Sequence, residues 1–144
     1  MERINEEIEL IREEGLSLEV YKDSLGYPTV GVGHLITEKD GKFDTISLEF
    51  AGKLLADDIR IAKNELREKI PVYAELDPVR QYVLLSMCFN LGIGKLLQFK
   101  KMLTALENKD YVLAAKEMQD SKWFKQVKGR GSKLCLMMST GYKS

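Results

Sequence analysis

Isoleucines at 4, 8 and 11 recur at helical spacing with acids between them, which predicts an amphipathic helix over 2–14 that buries those three residues and stops at Gly15. The pattern then changes. Val20-Tyr21-Lys22-Asp23 reads as a short strand, Ser24 to Tyr27 as a turn, and Pro28 to His34 as a second strand with alternating glycines. Glycines in a strand bare one face, so another group is expected to approach that backbone closely. Asp40-Gly41-Lys42 offers a further turn, and a hairpin or three-stranded sheet is expected over about 18–46.

Beyond that the chain reads as helix. Ser47 is a candidate N-cap for a helix over 48–69, whose apolar positions Leu48, Ala51, Leu55, Ile59, Ala62, Leu66 and Ile70 follow helical spacing up to Pro71. Asp77-Pro78 opens a helix over 79–91 that is apolar nearly all round and is expected at the centre of a helical lobe. Gly92-Ile93-Gly94 should break it, with helices near 95–107, 110–119, 121–126 and 130–138 to follow. The expected architecture is α+β, one domain over 1–144. A small α/β lobe covers about 15–60. A larger helical lobe covers about 61–144 and takes in the N-terminal helix 1–14. Lobe junctions make clefts, and clefts make sites.

Composition narrows the classes. The chain has 144 residues, 44% hydrophobic and 31% charged, which excludes a disordered or collagen-like polymer. No apolar run approaches 18 residues, so no membrane span is expected. The first residues are too acidic and polar to open a signal peptide. Cys88 and Cys135 sit inside apolar helical patterns and read as core residues of a reducing cytoplasm. One histidine and two isolated cysteines give no metal-ligand pattern. The zero net charge conceals an asymmetry. Residues 1–75 hold 10 Lys and Arg against 17 Asp and Glu, and residues 76–144 hold 12 against 5. The lysines of the basic half are scattered, with no aromatic platform, so nucleic acid is not an expected partner.

Glu14, at the end of the first helix, Asp23, at the end of the first strand, and Thr29, on the second, could meet around one cleft. Paired carboxylates suit glycosidic bond cleavage, where one donates a proton and the other activates water or attacks. Residue types alone make a weak signal, because the chain has 22 acids. The surrounding residues are more specific. Glu14-Gly15, Tyr21-Lys22-Asp23 and Gly26-Tyr27-Pro28-Thr29-Val30-Gly31-Val32-Gly33-His34 closely resemble the motif of the phage-type lysozymes (endolysins, glycoside hydrolase family 24). Met87 to Gly94, Ser121-Lys122-Trp123, Arg130 and Ser139 to Tyr142 resemble later parts of that family, so the resemblance covers nearly the whole chain.

The resemblance implies a lysozyme-like fold and a muramidase that cuts the β-1,4 bond between N-acetylmuramic acid and N-acetylglucosamine in peptidoglycan. It implies Glu14 as general acid, Asp23 as second catalytic carboxylate, and Thr29 as third member. Leu35 and Phe89 match substrate-lining positions. His34 matches a structural pair with Asp58, and Arg130 an arginine facing the catalytic glutamate. The family is regarded as inverting, which calls for carboxyl groups about 6.5–9.5 Å apart with water between. The resemblance also implies a monomer without cofactor or metal and without stable membrane association. Such an enzyme accumulates in the host cytoplasm and depends on a holin for release to the wall. Two departures stand out: the stretch after Leu35 is short for the family, and the overall charge is neutral. Met102 and Glu117 align with further cleft positions, but their residue types match no ligand-binding pattern.

Overall fold

The computed structural model describes residues 3–41 and 44–143. The expected start of the first helix at Glu2 and the Lys42 end of the Asp40–Lys42 turn lie outside the described residues. The chain divides into two compact units. One comprises Asn5–Ile61; the other takes the residues up to Ile4 and from Ala62 onward.

The first unit opens with helix α1 (Glu6–Glu14), capped by the Asn5 side chain, which accepts from the Ile8 amide at 3.1 Å. Strands β1 (Ser17–Lys22), β2 (Pro28–Gly31) and β3 (His34–Leu35) form an antiparallel sheet in the order β1-β2-β3. Residues 44–46 run along the outer edge of β1: Val20 donates to the Asp44 carbonyl at 2.8 Å and Ile46 to the Leu18 carbonyl at 2.7 Å. Helix α2 (Leu48–Lys69) begins in this unit. Its Ser47 cap forms as expected, the hydroxyl accepting from the Phe50 amide at 3.1 Å.

The second unit is helical: α3 (Pro78–Leu91), α4 (Ile93–Leu96), α5 (Lys100–Glu107), α6 (Tyr111–Gln119), α7 (Lys122–Val127) and α8 (Gly129–Thr140). Asp77 caps α3, its carboxylate accepting from the Arg80 amide at 3.2 Å. Every residue from Tyr82 to Cys88 is buried, so α3 is the centre that its all-round apolar pattern predicts. It packs on α8, which packs in turn on α6 and α7. Arg80 ties these helices together. Its guanidinium donates to the Met138 carbonyl at 2.7 Å and to the Ser139 carbonyl at 3.2 Å, and lies 3.7 Å from the centroid of the Tyr111 ring. It thereby satisfies carbonyls left over at the end of α8. Cys88 and Cys135 are free and buried. Burial pushes both thiols up to about 11, so they pack as small apolar groups.

Three expectations change. The stretch 28–34 is not one strand, because the chain reverses after Gly31 and returns as β3. Gly92 ends α3 as expected, with φ +84°, but α4 begins at Ile93 and runs through Gly94, and the helix expected near 95–107 is split at Leu97–Phe99. The isoleucine stripe of α1 is the wrong face. Ile8 and Ile11 are 45% and 37% exposed, whereas Leu10 is wholly buried and Glu9 nearly so. Glu9 keeps Arg12 as an ion partner at 3.0 Å, which offsets the cost of burying its charge. At 100° per residue, Leu10 and Glu14 lie one above the other, four residues apart, and the isoleucines fall away from that line.

The corrected face makes a stability prediction. Leu10→Ala should cost about 2–5 kcal/mol through lost burial and an unfilled cavity, and Ile8→Ala less than about 1 kcal/mol. Urea unfolding of the two variants measures both through the midpoint at unchanged slope.

Candidate active site

The expected residues divide between the units. Glu14, Asp23, Thr29, His34, Leu35 and Asp58 belong to the first, and Phe89 and Arg130 to the second.

Glu14 is the last residue of α1, half-buried as Glu13 is, so burial does not distinguish the two. Contact does. Gly33 has φ +64°, and a methyl group built on it would lie 3.2 Å from Glu14 Oε2 and 3.5 Å from Cδ. The Glu14 carboxyl therefore rests on the bare face of Gly33, the close approach that the glycine pattern predicts. Gly31 has φ +66°, but a methyl group on it would meet only ordinary contacts, the nearest being Ile46 Cδ1 at 3.7 Å. Gly31 is required by the reversal of the chain and Gly33 by both the reversal and the carboxyl.

Asp23 begins the loop between β1 and β2. Its Oδ1 accepts from the Leu25 and Tyr27 amides, both at 2.9 Å, and its own amide donates to the Tyr27 carbonyl at 2.9 Å. One carboxylate oxygen thus organises the turn. The other, Oδ2, receives no hydrogen bond among the described residues and is available for chemistry. Thr29 is 4% exposed, and its hydroxyl donates to the Tyr27 carbonyl at 3.0 Å. With that proton committed, the oxygen faces any further partner as an acceptor.

The sheet register sets a row of side chains. Tyr21 stands opposite Thr29, and Thr29 opposite Leu35; opposed residues share a face of the sheet. Asp23 follows two positions after Tyr21. Burial, then the negative charges of Glu14 and Asp23, raise the Tyr21 phenol above its ordinary 10.0. Tyr21 therefore stands within electrostatic reach of both carboxylates. Leu35, at the end of the row, is 47% exposed.

His34 points elsewhere. Its Nδ1 lies 2.7 Å from Asp58 Oδ2, as expected, and its Nε2 lies 3.2 Å from Asp40 Oδ2, which was not expected. Asp40 also accepts from the Thr37 amide at 2.7 Å and hydroxyl at 3.1 Å, closing a capping box on the short 3-10 turn Glu38–Asp40. The Thr-x-x-Asp spacing is the signal that would have found it. The Asp58 hydrogen bond raises the His34 pKa above 6.5; burial opposes this, and Asp40 adds to it. For Asp40, burial pulls upward, but the Thr37 hydrogen bonds and His34 outweigh it and hold the carboxyl below 3.8.

In the second unit Phe89 lies half-buried near the end of α3. Arg130, in the first turn of α8, donates to Ser86 Oγ at 2.9 Å. Trp123 donates its indole N–H to Asn90 at 3.2 Å and meets Phe99 edge-on at 6.3 Å. Those two rings line a groove of about 670 Å³ with Lys95, Lys122 and Glu117; Met102 also lines it and is itself buried. No group of three or more His, Cys, Asp or Glu among the described residues could hold a metal ion, and no helix among them is long and apolar enough to cross a membrane.

An α-helix ending in a carboxyl beside a three-stranded hairpin sheet, joined to a helical unit, is an α+β lysozyme-like fold. Residues 11–137 match the family model for phage lysozyme, and the chain belongs to that family. It is 34% identical to the pre-baseplate central spike protein Gp5 of Enterobacteria phage T4 over 92% of this chain, but spans 27% of that protein's length. It is 32% identical to the probable T4-type lysozyme 1 of Dictyostelium discoideum, over 90% of both chains. Identity to the endolysin of Salmonella phage P22 is 35%, over 58% of each.

The histidine bridge predicts a bounded pH window. The His34 contribution to stability is complete below its unfolded pKa of about 6.5 and is lost as pH rises through the raised folded value. The Asp40 contribution is complete above its ordinary 3.8 and is lost as pH falls through its lowered folded value. A double-mutant cycle of His34→Asn and Asp58→Asn should give a coupling of about 1 kcal/mol or more at pH 5.5, shrinking above neutrality. Strict additivity at pH 5.5 would contradict the bridge.

Proposed function

We propose that the chain is a muramidase. It hydrolyses the β-1,4 bond between N-acetylmuramic acid and N-acetylglucosamine in bacterial peptidoglycan, with inversion at the anomeric carbon. The observation that carries this reading is the local geometry of the first unit. Glu14 rests on Gly33, Asp23 spends one oxygen on the turn and keeps the other open, and Thr29 stands on β2 opposite Tyr21, two residues before Asp23. Family membership and the resemblance to T4-type lysozymes and a phage endolysin support it.

In this reading Glu14 is the general acid that protonates the leaving oxygen. Asp23 Oδ2 is the base that takes a proton from water, and Thr29 is the second anchor of that water. Leu35 and Phe89 contact the glycan. His34, with Asp58, braces the strand end. The chain works as a monomer on one lysozyme-like domain with no cofactor, accumulates in the host cytoplasm without stable membrane association, and is released to the wall through a holin for host lysis.

A second reading follows from the similarity to the spike protein: a wall-binding or structural relative with the same fold and no turnover. Turbidity loss on purified cell walls separates the two. Glu14→Gln should abolish clearing while the melting temperature holds or rises, because the amide keeps the shape and removes the proton donor. Glu13→Gln should stay within a few-fold of wild type. Clearing by Glu14→Gln would remove Glu14 from the mechanism, and no clearing by the wild type would favour the structural reading.

Stereochemistry tests the water. Fresh product, read by NMR before mutarotation, should be the α-anomer; a β-anomer would overturn the water-anchoring role of Thr29.

A further inference from the structure

The proposed mechanism leaves one hydrogen bond unassigned, and its donor can be found by counting. The attacking water has two protons and two lone pairs. Asp23 Oδ1 is filled by two amides, so only Oδ2 is open, and an ionised carboxylate oxygen can only accept. While the Thr29 hydroxyl donates to the Tyr27 carbonyl, it too can only accept from water. Both water protons are thereby used, one toward Asp23 and one toward Thr29. One lone pair must face the anomeric carbon. The other needs a donor, and neither Asp23 nor Thr29 has a proton to offer.

Resting on the muramidase reading, we propose that Tyr21 is that donor: its phenol O–H, on the same sheet face as Thr29 and directly opposite it, hydrogen-bonds the attacking water and fixes its orientation. The register sets Tyr21 against Thr29, and Asp23 stands two positions further along the chain. Tyr21 is 38% exposed, so part of the residue reaches solvent. Burial and the Glu14 and Asp23 charges, which disfavour a phenolate, keep the proton on the oxygen that must donate it. During hydrolysis the water oxygen forms a bond to the anomeric carbon as the bond to the leaving oxygen breaks. Glu14 gives its proton to that leaving oxygen, and Asp23 takes the water proton. Tyr21 keeps its own proton throughout, so it orients the nucleophile without exchanging anything with it.

Tyr21→Phe tests this with little disturbance, because the ring and its packing remain. On soluble peptidoglycan fragments, with reducing ends as readout, kcat should fall about tenfold or more while KM stays within about twofold. The melting temperature should match wild type. Replacing Tyr21 with 4-aminophenylalanine, which restores a donor at the same reach, should recover part of kcat. Three results would overturn the inference: wild-type kcat in Tyr21→Phe, a loss carried by KM instead of kcat, or no recovery with the amine. The wild type and Glu14→Gln are run alongside. An inactive wild type overturns the muramidase reading and this inference together, whereas an active wild type with an unaffected Tyr21→Phe overturns this inference alone.

Discussion

The first unit is organised around one backbone reversal. Between β2 and β3 the chain turns back through two glycines with φ near +65°, a region that costs an L-residue with a side chain roughly 1–2 kcal/mol. The reversal brings His34 and Leu35 alongside β2, which completes the row Tyr21, Thr29, Leu35 on one face. It also presents the bare side of Gly33 to Glu14, so the proposed acid is seated by an absence of side chain. A methyl group there would press on the carboxyl at 3.2 Å. Strand register, acid placement and the direction of His34 all follow from those few residues.

The polar groups of the unit serve two kinds of work, and geometry separates them. His34 is held at both ring nitrogens by Asp58 and Asp40, which links β3 and the short turn after it to α2. A histidine so committed is a brace, with no nitrogen left for proton transfer. Asp23 is different, because half of its carboxylate closes the hairpin loop and half remains open. A residue shared in this way joins folding to chemistry: removing it would loosen the turn as well as the proposed site.

The helical unit gains its rigidity from a more ordinary source. Its central helix is buried on every face from Tyr82 to Cys88, and Arg80 joins the end of α8 to α3 and α6 through carbonyls, a carboxylate and an aromatic ring. Phe89 and Arg130 stand on this scaffold, with Arg130 fixed by Ser86, the buried hydroxyl of α3. Ser86 is a buried polar residue in an otherwise apolar stretch, and its partner is the reason it is tolerated there.

Much of this was legible in the chain itself. Ser47 and Asp77-Pro78 marked helix starts and Pro71 a helix end, because caps and imino acids act within one turn and need no distant partner. The Glu14, Asp23 and Thr29 motif was legible as a resemblance, and the His34–Asp58 pair came with it. What tertiary structure decided was of another kind. Periodicity chose the isoleucine face of α1, yet Leu10 and Glu9 are the buried residues, since burial depends on what surrounds a helix and not on which residues repeat along it. Alternating glycines read as one strand, and only the pairing of Thr29 with Leu35 resolved them into a reversal. Asp40 read as a turn residue, and the second carboxylate of the histidine bridge emerged only when the turn folded back onto His34. Local chemistry determined where elements begin and end; the meeting of residues far apart in the chain decided which side chains share a site.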